Sequence, residues 1–421
     1  MECVETFHNS MKIVLVSPSQ RHLTDPIKAE PLGLMYIETA LQRLGLEVEC
    51  VDMSFDTKIP EADLYGFSAS TVNFPKVVEY AKQLKSAYTI IGGSHASALP
   101  NQARSFFDAV VVGPGENVLE EVIRDFKTNR KGGIFCKSMT DIDSIPIPLR
   151  TIRNRIPYNP FDGERNSASL ITSRGCPFQC SFCASNAIWG RKVLFRSLDS
   201  VLTEISYLQE TYGISSFKFV DDIFVLNKKR FLSFSHALSD LKIKWFCEMR
   251  MDSIDDLILD HMIASGCTTV DLGVESVDDI VLQKIQKKQT VKSMKKAIHK
   301  IQEKGLKVKI YLIYGLPFEP SDIVTKMMGF IEEVNPDFVS LFTFVPYPGT
   351  DIYEHPEKYN IKWMDSDFSR YQHSIGQIQE EQDWLPCVEY FDREREKLRE
   401  ERNQIKNFTI RWNEQKKRER K

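Results

Sequence analysis

No run of apolar residues in this 421-residue chain is long enough to span a bilayer. Its opening stretch, MECVETFHNSMKIVLV, lacks a basic segment followed by an apolar core, so no secretory leader is expected and the protein is read as cytoplasmic. An excess of one charge is also missing. The 55 Lys and Arg stand against 58 Asp and Glu, a net charge of −3, which gives no global attraction to nucleic acid or to an anionic membrane. Cysteine is scarce: nine in all, an odd number, three of them between positions 176 and 183 and the rest scattered. That distribution excludes a disulfide framework and points to a reduced compartment with one metal site. Internal repeats and low-complexity tracts are absent. What is present is 42% hydrophobic and 27% charged residues, the balance of a folded chain, at a length that predicts two or three domains.

Residues 11–128 alternate apolar runs with amphipathic ones. Lys12–Val16, Glu47–Asp52, Leu64–Phe67, Thr89–Ile91 and Ala109–Val112 read as strands, and Gly33–Leu44, Phe74–Leu84 and Asn117–Phe126 as helices. This alternation predicts an α/β domain, a Rossmann-like doubly wound parallel sheet. Ligands of such sheets bind beyond the carboxyl ends of the strands. Those ends carry Ser68-Ala69-Ser70-Thr71, Gly92-Gly93-Ser94-His95 and Gly113-Pro114-Gly115-Glu116, small residues that let a ligand approach the backbone. G-x-G-x-x-G does not follow the first strand, which disfavours a nicotinamide cofactor. Residues 129–165, rich in Gly and Pro, read as a linker.

Residues 166–350 hold a second series of strands and helices. Ala168–Ser173, Phe217–Val220, Lys244–Arg250, Thr269–Val274, Lys307–Tyr314 and Phe338–Val345 are the strands. Leu198–Tyr212, Lys228–Leu241, Asp255–Ser265, Asp278–Lys304 and Ser321–Val334 are the helices. The series predicts a partial (βα)6 barrel, whose chemistry belongs at the carboxyl ends of the strands. Those ends carry the cysteine loop, Asp221-Asp222, Arg250, Glu275-Ser276 and Gly315-Leu316-Pro317. Residues 351–421 form a short, mostly helical C-terminal segment whose charged end, from Glu389 on, reads as a solvated helix. Its aromatics Trp363, Tyr371 and Trp384 either shape a pocket or only pack.

Cys176, Cys180 and Cys183 form C-x3-C-x2-C. Three thiolates on one loop suit three corners of an iron–sulfur cubane and leave the fourth iron open to substrate. Structural zinc is the competing reading, but it wants four ligands, and no Cys or His follows soon after the loop, the next cysteine being Cys247. With Phe182 just before the last cysteine, the loop resembles the signature of the radical S-adenosylmethionine (SAM) superfamily. The resemblance extends through Trp189-Gly190-Arg191-Lys192, Met249-Arg250-Met251-Asp252, Gly273-Val274-Glu275-Ser276 and Pro346-Tyr347-Pro348-Gly349-Thr350. The N-terminal half, through Pro31-Leu32-Gly33-Leu34 and the glycine loops, is similar to the cobalamin-binding domain of the B12 subgroup.

The resemblance implies a [4Fe–4S] cluster on Cys176, Cys180 and Cys183, with SAM chelating the open iron and being cleaved to a 5′-deoxyadenosyl radical. It implies SAM contacts from Phe182, Asp221, Asp222, Arg250, Glu275, Ser276 and Gly315. Ser68, Ser70, Thr71, Gly92, Gly93, His95, Gly113, Gly115 and Glu116 become candidates for cobalamin, His95 being otherwise an ordinary loop histidine. The cobalt-ligating D-x-H-x-x-G motif is missing, a departure that B12-type radical SAM enzymes often share. Glu248 lies on the same strand face as Arg250 and is a candidate for substrate contact or proton transfer, or else a partner in a buried ion pair.

The function implied is methyl transfer to an unreactive carbon or phosphorus, catalysed by a cobalamin-dependent radical SAM enzyme. The alternatives are rearrangement or ring-forming chemistry with an N-terminal domain that does not bind cobalamin, and a non-enzymatic iron–sulfur or zinc sensor. Expected partners are a small-molecule or peptide substrate and a flavodoxin- or ferredoxin-type electron donor, with no membrane and no nucleic acid.

Overall fold

The computed structural model describes residues 11–19, 25–84, 87–161, 164, 166–371 and 385–420. Trp384 and part of the loop after the first strand lie outside these residues. The chain divides into two compact units, one of residues 1–21 and 29–158, the other of residues 22–28 and 159–421. Among the described residues no helix is long and apolar enough to cross a membrane, and every cysteine is free.

The first unit is built from β1 (Lys12–Ser17), α1 (Leu32–Arg43), β2 (Glu47–Asp52), β3 (Leu64–Ser68), α2 (Phe74–Gln83), β4 (Tyr88–Gly92), α3 (Ser94–Ala98), α4 (Pro100–Arg104), β5 (Ala109–Val112), α5 (Leu119–Thr128) and β6 (Gly133–Cys136). The strands form one six-stranded sheet in the order β2-β1-β3-β4-β5-β6, every described pairing parallel. Ile13, Val14, Val16, Ile91, Ala109 and Val110 have no exposed surface, the mark of strands covered on both faces. Reversal of strand order at β1 opens the crevice where doubly wound sheets take ligands.

Much of the stretch read as a linker is packed into this unit. β6 adds a sixth strand to the sheet. Arg150 and Arg153 reach Glu30 at 2.8 and 2.6 Å, and Tyr158 Oη donates to Asp52 at 2.6 Å. These side chains are buried, so their polar groups are paired as burial requires.

The second unit begins with β7 (Ser167–Leu170), β8 (Ser173–Arg174), α6 (Ser185–Trp189), β9 (Leu194–Phe195), α7 (Leu198–Tyr212), β10 (Ser216–Phe219), α8 (Lys228–Ser239), β11 (Lys244–Met249) and α9 (Asp256–Ala264). It continues with β12 (Cys267–Glu275), α10 (Asp279–Lys284), α11 (Val291–Glu303), β13 (Lys307–Tyr314), α12 (Ile323–Val334), β14 (Phe338–Thr343), α13 (Asp351–Glu354), β15 (Ile361–Met364), β16 (Val388–Tyr390) and α14 (Arg395–Glu419). Six parallel strands pair in the order β7-β10-β11-β12-β13-β14, a partial (βα)6 barrel. Strand alternation sorts its two faces. Phe217, Phe219, Trp245, Cys247, Val270, Leu272, Val308 and Ile310 have no exposed surface and make up the apolar face. Lys218, Phe246, Glu248, Thr269, Asp271, Lys309, Tyr311 and Ser340 occupy the other face, the lumen of the half-barrel.

The helix expected over Asp278–Lys304 is two helices. Asp278 caps α10, and Gln286 and Lys288 adopt left-handed φ of 58° and 56°. Thr290 and Ser293 then form a capping box that starts α11. The helix expected to be solvated buries Leu398, Arg402, Ile405 and Thr409. Asn413 accepts from Val339 N at 2.9 Å and donates to Val339 O at 2.8 Å, so α14 covers the open edge of the sheet at β14.

Candidate active site

β7 ends and the short β8–β9 ladder delivers the cysteine loop to the carboxyl end of the barrel strands. Gly175 makes the entry turn with φ of 96°, and a Cβ there would stand 2.0 Å from the Lys192 carbonyl oxygen. Only glycine fits that close approach. Gly175 N donates to Asp222 at 2.9 Å, Cys183 N to the Cys180 carbonyl at 3.1 Å, and Ser181 N to the Ile285 carbonyl at 3.0 Å. All three thiols are partly exposed. Burial pushes them up, Cys183 to about 11, while Lys287 and Arg250 pull Cys180 back toward the thiolate.

Arg250 is the most heavily used side chain here. Its guanidinium lies 3.8 Å from the centre of the Phe178 ring, donates to Asp252 at 2.8 and 3.1 Å, and donates to the Lys287 carbonyl at 3.1 Å. Glu275 stands at a register shift between β12 and β13, in a left-handed conformation with φ of 64°. It pairs with Lys287 at 3.0 Å. Gly273 makes room for that pair, since a Cβ there would lie 2.4 Å from Glu275 Oε1 and 3.0 Å from Lys287 Nζ. Lys287 and Phe178 were not among the sequence candidates. Lys287 is carried inward by the break between α10 and α11, and the Thr290–Ser293 cap was its only sequence signal.

The remaining candidates divide. Phe182 is half-buried and Asp222 is exposed, accepting from Gly175 N and Ser185 Oγ. Gly315, with φ of 88°, is buried; it donates to Glu319 at 3.0 Å and accepts from Tyr390 Oη at 2.6 Å. Two candidates are already engaged within the fold. Asp221 is buried and accepts from Thr172 N, Thr172 Oγ1 and Ser173 Oγ at 2.7, 2.5 and 2.7 Å, which ties down the chain ahead of the cysteines. Ser276 has no exposed surface, and its hydroxyl accepts from Asp278 N at 3.3 Å ahead of α10. Glu248 stands in the lumen, where burial raises its carboxyl and the nearby Lys218 opposes that rise.

In the first unit the candidate loops leave the carboxyl ends of three adjacent strands. Ala69 N donates to the Gly92 carbonyl at 3.0 Å, Ser97 Oγ to the Gly93 carbonyl at 2.9 Å, and Gly113 N to Ser97 Oγ at 3.0 Å. Gly93 has φ of 98°, and a Cβ there would stand 2.6 Å from the Ala69 carbonyl oxygen. Ser68, Ser70, Gly92, Gly93, Gly113, Gly115 and Glu116 remain open to solvent on this cradle. His95 and Thr71 do not. His95 is 0% exposed, stacks 3.9 Å from the Phe74 ring and bonds Gln102 at 3.1 Å. Burial lowers its ring to about 4, so it is a neutral side chain packed within the unit. Thr71 is likewise buried.

The donor set fits an iron–sulfur cluster: three free thiols on one loop, beside two cations that complement a thiolate-bound cluster. Among the described residues no three His, Cys, Asp or Glu side chains converge to hold a single metal ion, whereas a cubane takes one ligand per corner. A cavity of about 500 Å³ lies at the amino-terminal end of the barrel, beside Lys244, Thr269, Lys307 and Phe338. It is at the opposite end from the thiols, where β/α barrels carry stability and not chemistry.

A thiol loop at the carboxyl end of a parallel half-barrel, with a glycine-lined doubly wound unit on the same chain, defines an iron–sulfur enzyme with a second cofactor domain. Residues 170–331 match the Radical SAM superfamily model and residues 26–123 match the B12 binding domain model. The chain therefore carries a radical SAM domain together with a B12-binding domain, and its cofactors are a [4Fe–4S] cluster, SAM and cobalamin. It is 28% identical over 389 residues to an uncharacterized methyltransferase of Pyrococcus horikoshii, covering 83% of this chain and 84% of that one. It is 24% identical over 376 residues to the bacteriochlorophyllide d C-8(2)-methyltransferase of Chlorobaculum tepidum, covering 82% of each. A solved radical SAM methyltransferase from Kitasatospora setae, TsrM, superposes with a TM-score of 0.65 at 18% identity, covering 86% of this chain and 82% of that one, which shows the shared fold.

Proposed function

We propose that the protein is a cobalamin-dependent radical SAM methyltransferase acting on an unreactive carbon, or phosphorus, of a small molecule. One observation carries this reading: a single chain holds both the three-thiol loop on a half-barrel and a glycine cradle within a sequence that matches the B12-binding model. The methyltransferase names of relatives aligned over four-fifths of the chain support it. When bound, the cluster supplies the electron that cleaves SAM, and cobalamin supplies the methyl group.

The chain's own side chains hold and shield. Cys176, Cys180 and Cys183 hold the cluster. Arg250 and Lys287 balance its charge, and Phe178 and Phe182 keep water from it. Glu275 and Gly315 border SAM, with Asp222 fixing the loop. Gly92, Gly93, Gly113 and Gly115, with Ser68, Ser70 and Glu116, take the corrin ring and its tail. The cofactor domain of 11–128 is extended by the packed residues up to 158, and the barrel of 166–350 is followed by the segment 351–421. An electron donor of flavodoxin or ferredoxin type completes the system in a reduced, cytoplasmic setting.

Anaerobic reconstitution with iron, sulfide and hydroxocobalamin, followed by desalting, tests the reading. Near-stoichiometric cobalamin with the spectrum of a cobalt lacking its lower base is expected, together with reductive cleavage of SAM. Cleavage without retained cobalamin would turn the first unit into a substrate or partner module and remove methyl transfer. SAM cleavage by Cys180→Ala would overturn the cluster assignment itself.

A further inference from the structure

The lumen of the half-barrel is charged, although interior barrel positions are ordinarily filled by branched apolar side chains. Register places Glu248, Asp271 and Lys309 side by side on β11, β12 and β13, with Lys218 one pleat lower on β10. Tyr311 Oη donates to Asp271 Oδ2 at 2.6 Å, and Lys309 Nζ lies 3.6 Å from the same oxygen. The other oxygen, Oδ1, is buried with no hydrogen-bond partner among the described residues, on a residue only 1% exposed. An orphaned carboxylate oxygen is costly, and a bound donor relieves that cost. Glu248 and Lys218 form no side-chain hydrogen bond or ion pair among the described residues, yet the Lys218 charge opposes the rise that burial gives the Glu248 carboxyl. Both keep some solvent exposure, as do Lys309, Tyr311 and Ser340, while the opposite face of the same strands is closed. The layer is therefore reached by solvent and has unspent polar capacity.

Resting on the radical SAM reading above, we infer that the substrate is a small zwitterion of the amino-acid type, its ammonium held by Asp271 and Glu248 and its carboxylate by Lys218. The charge count favours a guest with both signs and no net charge. Two carboxylates and two lysines balance one another, so a net cation or anion would leave a buried charge uncompensated. An apolar ring system would strand all four. Asp271 and Glu248 stand on adjacent strands, about 5 Å apart, a spacing that one ammonium can bridge. Lys218, long and without an ion pair among the described residues, reaches across from β10 to the anionic end of the same small molecule.

The test is calorimetric titration of the reconstituted, SAM-bound protein with each common L-amino acid, and with the N-acetyl and methyl-ester forms of any that bind. The inference expects at least one amino acid to bind. It expects acetylation of the amine, or esterification of the acid, to weaken that binding roughly ten- to hundredfold. Asp271→Asn and Glu248→Gln are expected to weaken the parent amino acid but not its N-acetyl form, and Lys218→Met to weaken the parent but not its ester. Glu248→Gln keeps the test open if Asp271→Asn fails to fold. Absence of binding by every amino acid, equal binding of parent and N-acetyl form, or capture of a peptide or an apolar macrocycle instead would each overturn the inference. Iron content and reductive SAM cleavage of the wild-type protein separate the two levels. If these are normal and no zwitterion binds, only the substrate class falls; if these are lost, the radical SAM reading falls first.

Discussion

Gly175 carries more of the site than its lack of a side chain suggests. Its left-handed backbone and the 2.0 Å approach that a Cβ would make to the Lys192 carbonyl leave no room for alanine. Gly175→Ala is expected to cost about 1–3 kcal/mol locally and to lower iron retained per chain, measured after reconstitution. His95 gives a prediction with a sign. Its ring is lowered from 6.5 to about 4, so the native state binds fewer protons than the unfolded state between those values. The stability it contributes is complete above pH 6.5 and lost as pH falls toward 4, by roughly 3 kcal/mol at most. Thermal unfolding of the wild-type protein should show this slope in that window, and His95→Gln should flatten it. From the sequence alone His95 looked like a loop histidine at a ligand site. Its burial comes from the ring of Phe74, which lies twenty-one positions earlier and on another element.

At the scale of elements, the cover that α14 lays on β14 predicts a measurable loss. Asn413→Leu removes both bonds to Val339 and should destabilise the second unit by about 1–3 kcal/mol, read from denaturant midpoints. It should also promote association through the uncovered strand edge, read by light scattering. The strands themselves were legible because alternation of apolar and amphipathic runs is a local signal. The cysteine loop was legible because spacing alone defines it. The break between α10 and α11 was not, since the helical period continues on both sides and two left-handed residues, Gln286 and Lys288, carry no glycine to mark them. That break is what delivers Lys287 to Glu275, and so the pair was missed with it. The buried stripe of α14 was hidden for a different reason. Its four inward residues include Arg402 and Thr409, which composition scores as polar.

For the whole molecule, the cofactor loops belong to separate units, each with its own sheet. The two loads should therefore be separable. Gly93→Val, whose Cβ would meet the Ala69 carbonyl at 2.6 Å, should abolish cobalamin retention while iron stays at the wild-type level. Cys180→Ala should do the reverse, both read by metal analysis and visible absorbance. The second unit also has an order of assembly written into it. The cysteine loop is held from behind by the Ile285 carbonyl, and its own Ser181 carbonyl accepts from Ile352 N at 3.2 Å. Both anchors are synthesised long after the cysteines themselves. A nascent chain that has only just exposed its three thiols lacks both of these anchors, so the loop is expected to take its final shape, and to retain iron, only once nearly all of the barrel has left the ribosome.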